Sequence, residues 1–381
     1  MIKKICKWAL ASAVIALAIN VHASDSVKVG VILSTTGPAA SLGIPERNTI
    51  SLLPTTLGDR KVEYIMLDDE TDPGVAGRNA RRLIEQEKVD VIIGSTAVPT
   101  SIAAAEVAAE NQTVTISLAP YIPTENQHPW TFPLPQTVAV MSESLFADMA
   151  KQGIKRLAYI GFSDNWGQAW LADIDRHLIK HGLELVATER YARSDRSVAG
   201  QILRVLGSRP DAVLIGASGT PGVLPMSTLR ERGFKGVIYQ THGMANQDVL
   251  RLAGSSAEGM ILPTGAVLVA ELLPENHPSK RQATEFVKSY ESRHGEGSRN
   301  NFAAYAYDAY LLLNDAVKRI DGSIKPGTPA FRNALRDKIE NTHELAVSHG
   351  VVSWGVNQRS AFDARGAVLI TVKDGNWALV E

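Results

Sequence analysis

Short runs of apolar residues alternate along this chain with longer stretches in which apolar residues recur every three or four positions. Val27-Lys28-Val29-Gly30-Val31-Ile32-Leu33 is the first run, broken by Ser34-Thr35-Thr36-Gly37-Pro38. Residues 62–67 form the next, ended by the acidic turn Asp68-Asp69-Glu70-Thr71-Asp72-Pro73-Gly74 and a helical stretch to Glu87 with Leu83 and Ile84 inward. Val89-Asp90-Val91-Ile92-Ile93 leads through Gly94-Ser95-Thr96-Ala97-Val98-Pro99 into an Ala-rich helix at 100–110, and 113–117 is the fourth strand. Strands of about five residues between helices of about ten or more predict a mainly parallel sheet of βαβ units. Their near-continuous apolarity predicts helices on both faces.

The pattern recurs after Trp130-Thr131-Phe132-Pro133-Leu134-Pro135, with strands at 156–161, 183–191, 212–216 and 236–240 and helices at 167–181, 197–208 and 223–232. An extended segment at 259–267, helices near 278–293, 301–320 and 328–341, and strands near 349–354 and 366–372 complete the chain. Two such sheets joined by extended crossings enclose a cleft. In open α/β sheets the ligand site lies beyond the carboxyl ends of the strands. Here those are the loops after Leu33, Ile93, Ser117, Gly161, Gly216 and Gln240.

A length of 381 residues suits two domains with a sizeable core each. Charged residues at 21% and hydrophobic residues at 45% fit a globular chain, and a net charge of −1 argues against nucleic acid as a partner. The first 23 residues stand apart. Lys3, Lys4 and Lys7 precede an apolar stretch at 8–19, and Val21-His22-Ala23 supplies small residues for cleavage after Ala23. This is a secretory signal pattern, since spanning a bilayer takes ~20 apolar residues. Its removal takes Lys+Arg from 39 to 36 against 40 acids, a formal −4. Cys6, the only cysteine, goes with it, leaving neither disulfide nor thiol chemistry.

Catalytic and cofactor motifs are missing, and no cofactor is expected. There is no phosphate-binding glycine pattern, and Gly216-Ala217-Ser218-Gly219-Thr220 lacks the second glycine of a nucleophile elbow. Asp68, Glu70 and Asp72 imitate a calcium loop, but Pro73 and Asn79 stand where a glycine and a bidentate glutamate belong. A turn capping the next helix is the better reading. His343-Glu344 opens a zinc-protease pattern that Val347 breaks. His242, at the carboxyl end of the strand closing at Gln240, is either a hydrogen-bonded structural histidine or a ligand contact. Trp166, in the loop Asp164-Asn165-Trp166-Gly167, is either core or an exposed ring that stacks on a ligand, and Tyr121 is read likewise.

Several stretches together resemble the periplasmic binding proteins of branched-chain amino-acid transporters. They are Val29-Gly30-Val31-Ile32-Leu33-Ser34 with Gly37-Pro38, Asp68-Asp69 with Asp72-Pro73, Asp90-Val91-Ile92-Ile93-Gly94 and Asp164-Asn165-Trp166-Gly167. Asp211-Ala212-Val213-Leu214-Ile215, Gly233-Phe234-Lys235-Gly236 and Glu258-Gly259-Met260 extend the match over the mature chain. The resemblance implies a type I periplasmic binding fold with three interlobe crossings, a first lobe at 24–135 plus 266–350 and a second at 136–265 plus 351–381. It implies a periplasmic, monomeric, non-enzymatic partner of an inner-membrane ABC permease.

Family pattern also implies site residues. Positions that hold a ligand carboxylate correspond to Val98, Ala119 and Tyr121, with Ser95 and Thr96 nearby because Val98 has no hydroxyl. Further contacts carry over to Leu42 in the first lobe and to Trp166 and Ser218 in the second. The acid that pairs with an amino acid's ammonium falls at His242. A buried ammonium without an anion costs several kcal/mol, so the expected ligand is a small organic acid, aromatic or apolar, rather than leucine. Branched-chain amino-acid binding, a ligand sensor of the same fold and an enzyme are the alternatives.

Overall fold

The structure is a computed structural model describing residues 26–355 and 360–380; the expected signal sequence lies outside the described residues. The first sheet holds β1 (Ser26–Leu33), β2 (Thr56–Leu57), β3 (Arg60–Asp68), β4 (Val91–Gly94), β5 (Val114–Ser117) and β6 (Thr131–Pro133). They lie in the order β2-β3-β1-β4-β5-β6, parallel except for the β2–β3 pair. Helices α1 (Ala40–Ile50), α2 (Pro73–Glu85) and α3 (Val98–Glu110) connect them, and α4 (Val138–Lys151) opens the second half.

The second sheet begins with β7 (Arg156–Phe162), β8 (Glu184–Tyr191), β9 (Ala212–Gly216), β10 (Val237–Gln240) and β11 (Ile261–Thr264). Helices α5 (Asn165–His181), α6 (Ala199–Gly207), α7 (Val223–Glu231) and α8 (Gln247–Ala253) lie among them. The chain then runs through α9 (Lys280–His294), α10 (Asn301–Lys318), α11 (Pro329–Glu340) and a hairpin of β12 (Leu345–Ala346) and β13 (Val351–Val352). Finally β14 (Val368–Lys373) and β15 (Asn376–Leu379) join antiparallel, giving the order β15-β14-β11-β10-β9-β7-β8.

Local chemistry sets the helix starts. Asp72 accepts from the Val75 N–H at 2.8 Å with Pro73 at the first helical position, so the acidic turn is a cap. Asp164 accepts from the N–H groups of Trp166 and Gly167 at 2.9 and 3.3 Å, starting α5 two residues earlier than the 167–181 expectation. Trp166 is therefore the second residue of a helix and buried, not an exposed ring on a loop. Helix α1 has no apolar periodicity and contains Gly43 and Pro45, yet it forms because Leu42, Glu46, Thr49 and Ile50 are buried and the helix lies on α10.

Three passages of chain join the lobes, and α10 lies beneath them. Gln136, on the first passage, accepts from the Tyr305 hydroxyl and donates to the Gly366 carbonyl at 2.7 Å. Near the second passage Thr264 Oγ1 lies 3.0 Å from Asn301 Oδ1, and His349 Nε2 lies 3.0 Å from the same oxygen. His349 Nδ1 lies 2.7 Å from Asp308 Oδ2, and its ring stacks on Tyr305 with centroids 3.9 Å apart. The family resemblance puts the third passage at 350–351. Val352, Trp354, Ala361 and Phe362 instead pack in the first-lobe core, which places it after Phe362.

Candidate ligand-binding site

The carboxyl ends of both sheets face each other across a small cavity. From the first lobe come Leu42 of α1, Thr96, Ala97 and Val98 after β4, and Leu118, Ala119 and Pro120 after β5. Pro135, Phe302 and Tyr305 close the end nearest the passages between lobes. The second lobe supplies Trp166, Arg193, Ser218, His242 and Gly243. The lobes touch: the Thr220 N–H donates to Ser41 Oγ at 3.2 Å.

Gly94 makes the β4 end possible. Its φ is +121°, and a Cβ there would lie 1.9 Å from the Ile32 carbonyl oxygen. The bend sends Ser95 beneath the cavity, where its hydroxyl bonds Asp69 and lies 2.8 Å from Thr100 Oγ1. Asp69 also accepts from Ser34 Oγ at 2.7 Å, so Ser95 belongs to a buried bracing network rather than to the cavity wall. Thr96 does line the cavity, but its hydroxyl accepts from the Ser34 N–H at 3.0 Å and donates to Glu46. Burial pushes the Glu46 carboxyl well above its ordinary range; the Thr96 bond opposes this, and the Asp69 charge adds to it.

Val98 begins α3, where the first-turn N–H groups have no intrahelical acceptor. The Ala119 N–H is engaged by Ser117 Oγ at 3.1 Å. Tyr121 is not among the cavity-lining residues; its ring packs on the core, and burial raises its hydroxyl pKa.

On the second lobe, Trp166 donates from Nε1 to the Ala217 carbonyl at 3.1 Å, presenting its ring to the cavity. Against it stands the His242 imidazole, edge to face with centroids 5.2 Å apart. His242 is 2% exposed, and burial, with the nearby His349 adding, pushes its pKa down to about 3. Ser218 accepts from Arg193 at 2.9 Å. Arg193 also donates from Nε to Asp164 Oδ2 at 2.5 Å and lies 4.1 Å above the Phe162 ring.

Arg193 was missed from sequence. It follows β8 in Ala192-Arg193-Ser194, which fits no motif and no matched family position. It is the one charged residue among the described residues lining the cavity, and none of them is Asp or Glu. Leu42, Thr96, Val98, Ala119, Trp166, Ser218 and His242 come together around the space, while Ser95 and Tyr121 stand behind it.

A two-lobed α/β clamp closed on a small, mostly apolar cavity is the architecture of a solute-binding receptor. The chain belongs to the family described as Periplasmic binding protein, which matches residues 26–380. It is an ABC-transporter type of solute-binding protein, a receptor rather than an enzyme. An extracellular ligand-binding receptor from Rhodopseudomonas palustris HaA2 is 41% identical with a TM-score of 0.92, over 93% of this chain and 100% of that one. The solute binding protein of an ABC transporter from Rhodopseudomonas palustris BisB5, in complex with 3,4-dihydroxy benzoic acid, is 25% identical with a TM-score of 0.80, over 94% and 96%. An "Amino acid binding protein" of Pseudomonas aeruginosa is 25% identical over 66% of this chain and 70% of its own length.

Proposed function

We propose that this protein captures a small aromatic or otherwise apolar carboxylic acid in the periplasm and delivers it to an ABC permease. The observation that carries this is the charge inventory of the wall, one guanidinium and no carboxylate among the described residues. Arg193, ion-paired with Asp164, spends two of its five N–H donors on Asp164 and Ser218, leaving three for a ligand carboxylate. The α3 N-terminus adds a favourable dipole. Leu42, Val98, Trp166, Phe302 and Tyr305 suit a flat apolar body. The relative that holds 3,4-dihydroxy benzoic acid supports the same ligand class. Secretion through the signal pattern at 1–23, with cleavage after Ala23, and a monomeric state belong to this reading.

Amino-acid binding is the second reading, favoured by the Pseudomonas aeruginosa relative's name. It requires an anion for the ammonium, and Glu46, bonded to Thr96 but outside the lining, is a poor one because burial favours its neutral form. Thermal shifts on ligand-stripped mature protein separate the two. Ligand at ~1,000 times its Kd adds about 4 kcal/mol. The proposal expects shifts with benzoate, hydroxybenzoates or 3-phenylpropanoate. Shifts with leucine, isoleucine or valine and none of these acids would overturn it.

A further inference from the structure

We propose that His242 reads a hydroxyl group on the ligand, so that the cleft prefers a hydroxylated aromatic acid to its unsubstituted parent. This rests on the aromatic-acid reading above and narrows it.

The imidazole lines the cavity and is almost wholly buried, yet neither Nδ1 nor Nε2 has a protein hydrogen-bond partner. Buried polar atoms are nearly always paired, so two unpaired ones on one cavity-lining ring point to a ligand. Nothing polar among the described residues orients this ring. It is wedged by packing, edge to face on Trp166 and tilted against Trp170 with centroids 6.3 Å apart. Its backbone is fixed separately, in a turn over His242–Met244 where Thr241 Oγ1 accepts from the Gly243 N–H at 3.2 Å and donates to the Ala217 carbonyl. The side chain is thus held in place with its polarity unused.

Buried as it is, the imidazole is neutral near neutral pH, and a neutral imidazole offers one N–H donor and one bare nitrogen acceptor. A carboxylate only accepts, so it satisfies the N–H and leaves the bare nitrogen without a donor. An ammonium only donates, and it meets no anion among the described lining residues. A hydroxyl both donates and accepts, so it can pair with either nitrogen, the bare one included. The carboxylate has its own partner elsewhere. Arg193 also lines an interlobe groove beside the cavity, with its ion-pair partner Asp164 and with Thr71, Pro73 and Ser163, whereas His242 lies within the electrostatic reach of His349 near the passages between lobes. One ligand therefore meets guanidinium N–H donors toward the groove and an uncharged donor–acceptor toward those passages.

A site built to hydrogen-bond a substrate hydroxyl rejects the analogue that lacks it. Leaving a buried group unpaired corresponds here to a preference of about 10- to 100-fold. Isothermal titration on the mature protein compares benzoate with 3-hydroxy-, 4-hydroxy- and 3,4-dihydroxybenzoate, and 3-phenylpropanoate with its ring-hydroxylated form. The wild type is expected to bind at least one hydroxylated acid ~10- to 100-fold more tightly than its parent. His242→Leu should abolish the preference, so that the hydroxylated acid and its parent bind with equal affinity. In wild-type protein carrying 15N-labelled histidine, the His242 ring nitrogens should shift with the hydroxylated acid and not with the parent, a readout that needs no variant. Equal affinities for parent and hydroxylated acids, a preference that survives His242→Leu, or unmoved ring nitrogens would overturn the inference and leave the aromatic-acid reading standing. Failure to bind any of these acids overturns both.

Discussion

Acid should weaken the unliganded protein through His242 in a way one substitution removes. In the unfolded chain a histidine takes up its proton near pH ~6.5. In the fold His242 resists until about pH 3 because its ring is buried, with His349 adding to the effect. Between those values the unfolded state holds a proton that the folded state lacks. The contribution is therefore fully present above about pH 6.5, shrinks as the pH falls, and is exhausted near the folded pKa. Each unit is worth ~1.36 kcal/mol, so about 2 kcal/mol is gone by pH 5. With an unfolding entropy of ~2.1 cal/mol/K per residue, that is a drop of roughly 3 °C in melting midpoint for a chain of this size. The assay is a pair of melting curves, wild type and His242→Leu, at pH 7.5 and pH 5. Other groups titrate in both proteins and cancel in the difference. The leucine variant pays a constant packing difference but has nothing to protonate, so the wild type should lose about 3 °C more than the variant over this range. Parallel losses would show that the folded imidazole takes up its proton as the unfolded one does, and that burial does not hold it neutral in acid.

Arg193→Met should weaken benzoate binding by about 10- to 100-fold, the worth of a charge-assisted hydrogen bond, while Arg193→Lys retains part of the affinity; an unchanged titration would put the carboxylate elsewhere. Gly219→Val should disfavour the closed state. Gly219 has a φ of +65°, and a Cβ there would lie 2.7 Å from Leu42 Cδ1 and 2.9 Å from Ser41 Oγ across the cleft. Small-angle scattering with saturating benzoate or a hydroxybenzoate should show the wild type contracting and the variant not; equal contraction would mean that the lobes close without this contact. Asp72→Ala should cost about 1 kcal/mol by removing the α2 cap, seen in urea unfolding, with ligand affinity unaffected.

Much of the scaffold was legible because each lobe repeats one local rule. Continuous apolar runs such as Val91–Gly94 and Ala212–Gly216 are buried at every position and could be read as central strands without knowing their neighbours. Asp72-Pro73 announced a helix start for the same local reason. What escaped depended on distant partners. Helix α1 is invisible to periodicity because Gly43 and Pro45 interrupt it and its support comes from α10. Ser95 seemed free to hold a carboxylate until Asp69, twenty-six residues earlier, engaged it. Tyr121 sits in the right loop, but its ring packs on the core outside the cavity lining. Arg193 gave no signal at all, since an arginine after a half-exposed strand is common. Its meaning comes from Asp164 and Ser218, which are brought beside it only by folding.

The residues stitched along α10 bear on how this receptor can change over generations. Gln136, Tyr305, Asp308 and His349 join to one another and to the passages between lobes, whereas Val98, Arg193, Ser218 and His242 stand on loops or at element ends. Apart from Pro135, Phe302 and Tyr305, which close the cavity beside the passages, the residues that line the cavity are separate from those that join the lobes. New substitutions in the loops can retune the cargo while the pivot is inherited intact. A lineage of such receptors can therefore diversify in diet and keep the same connection between its lobes.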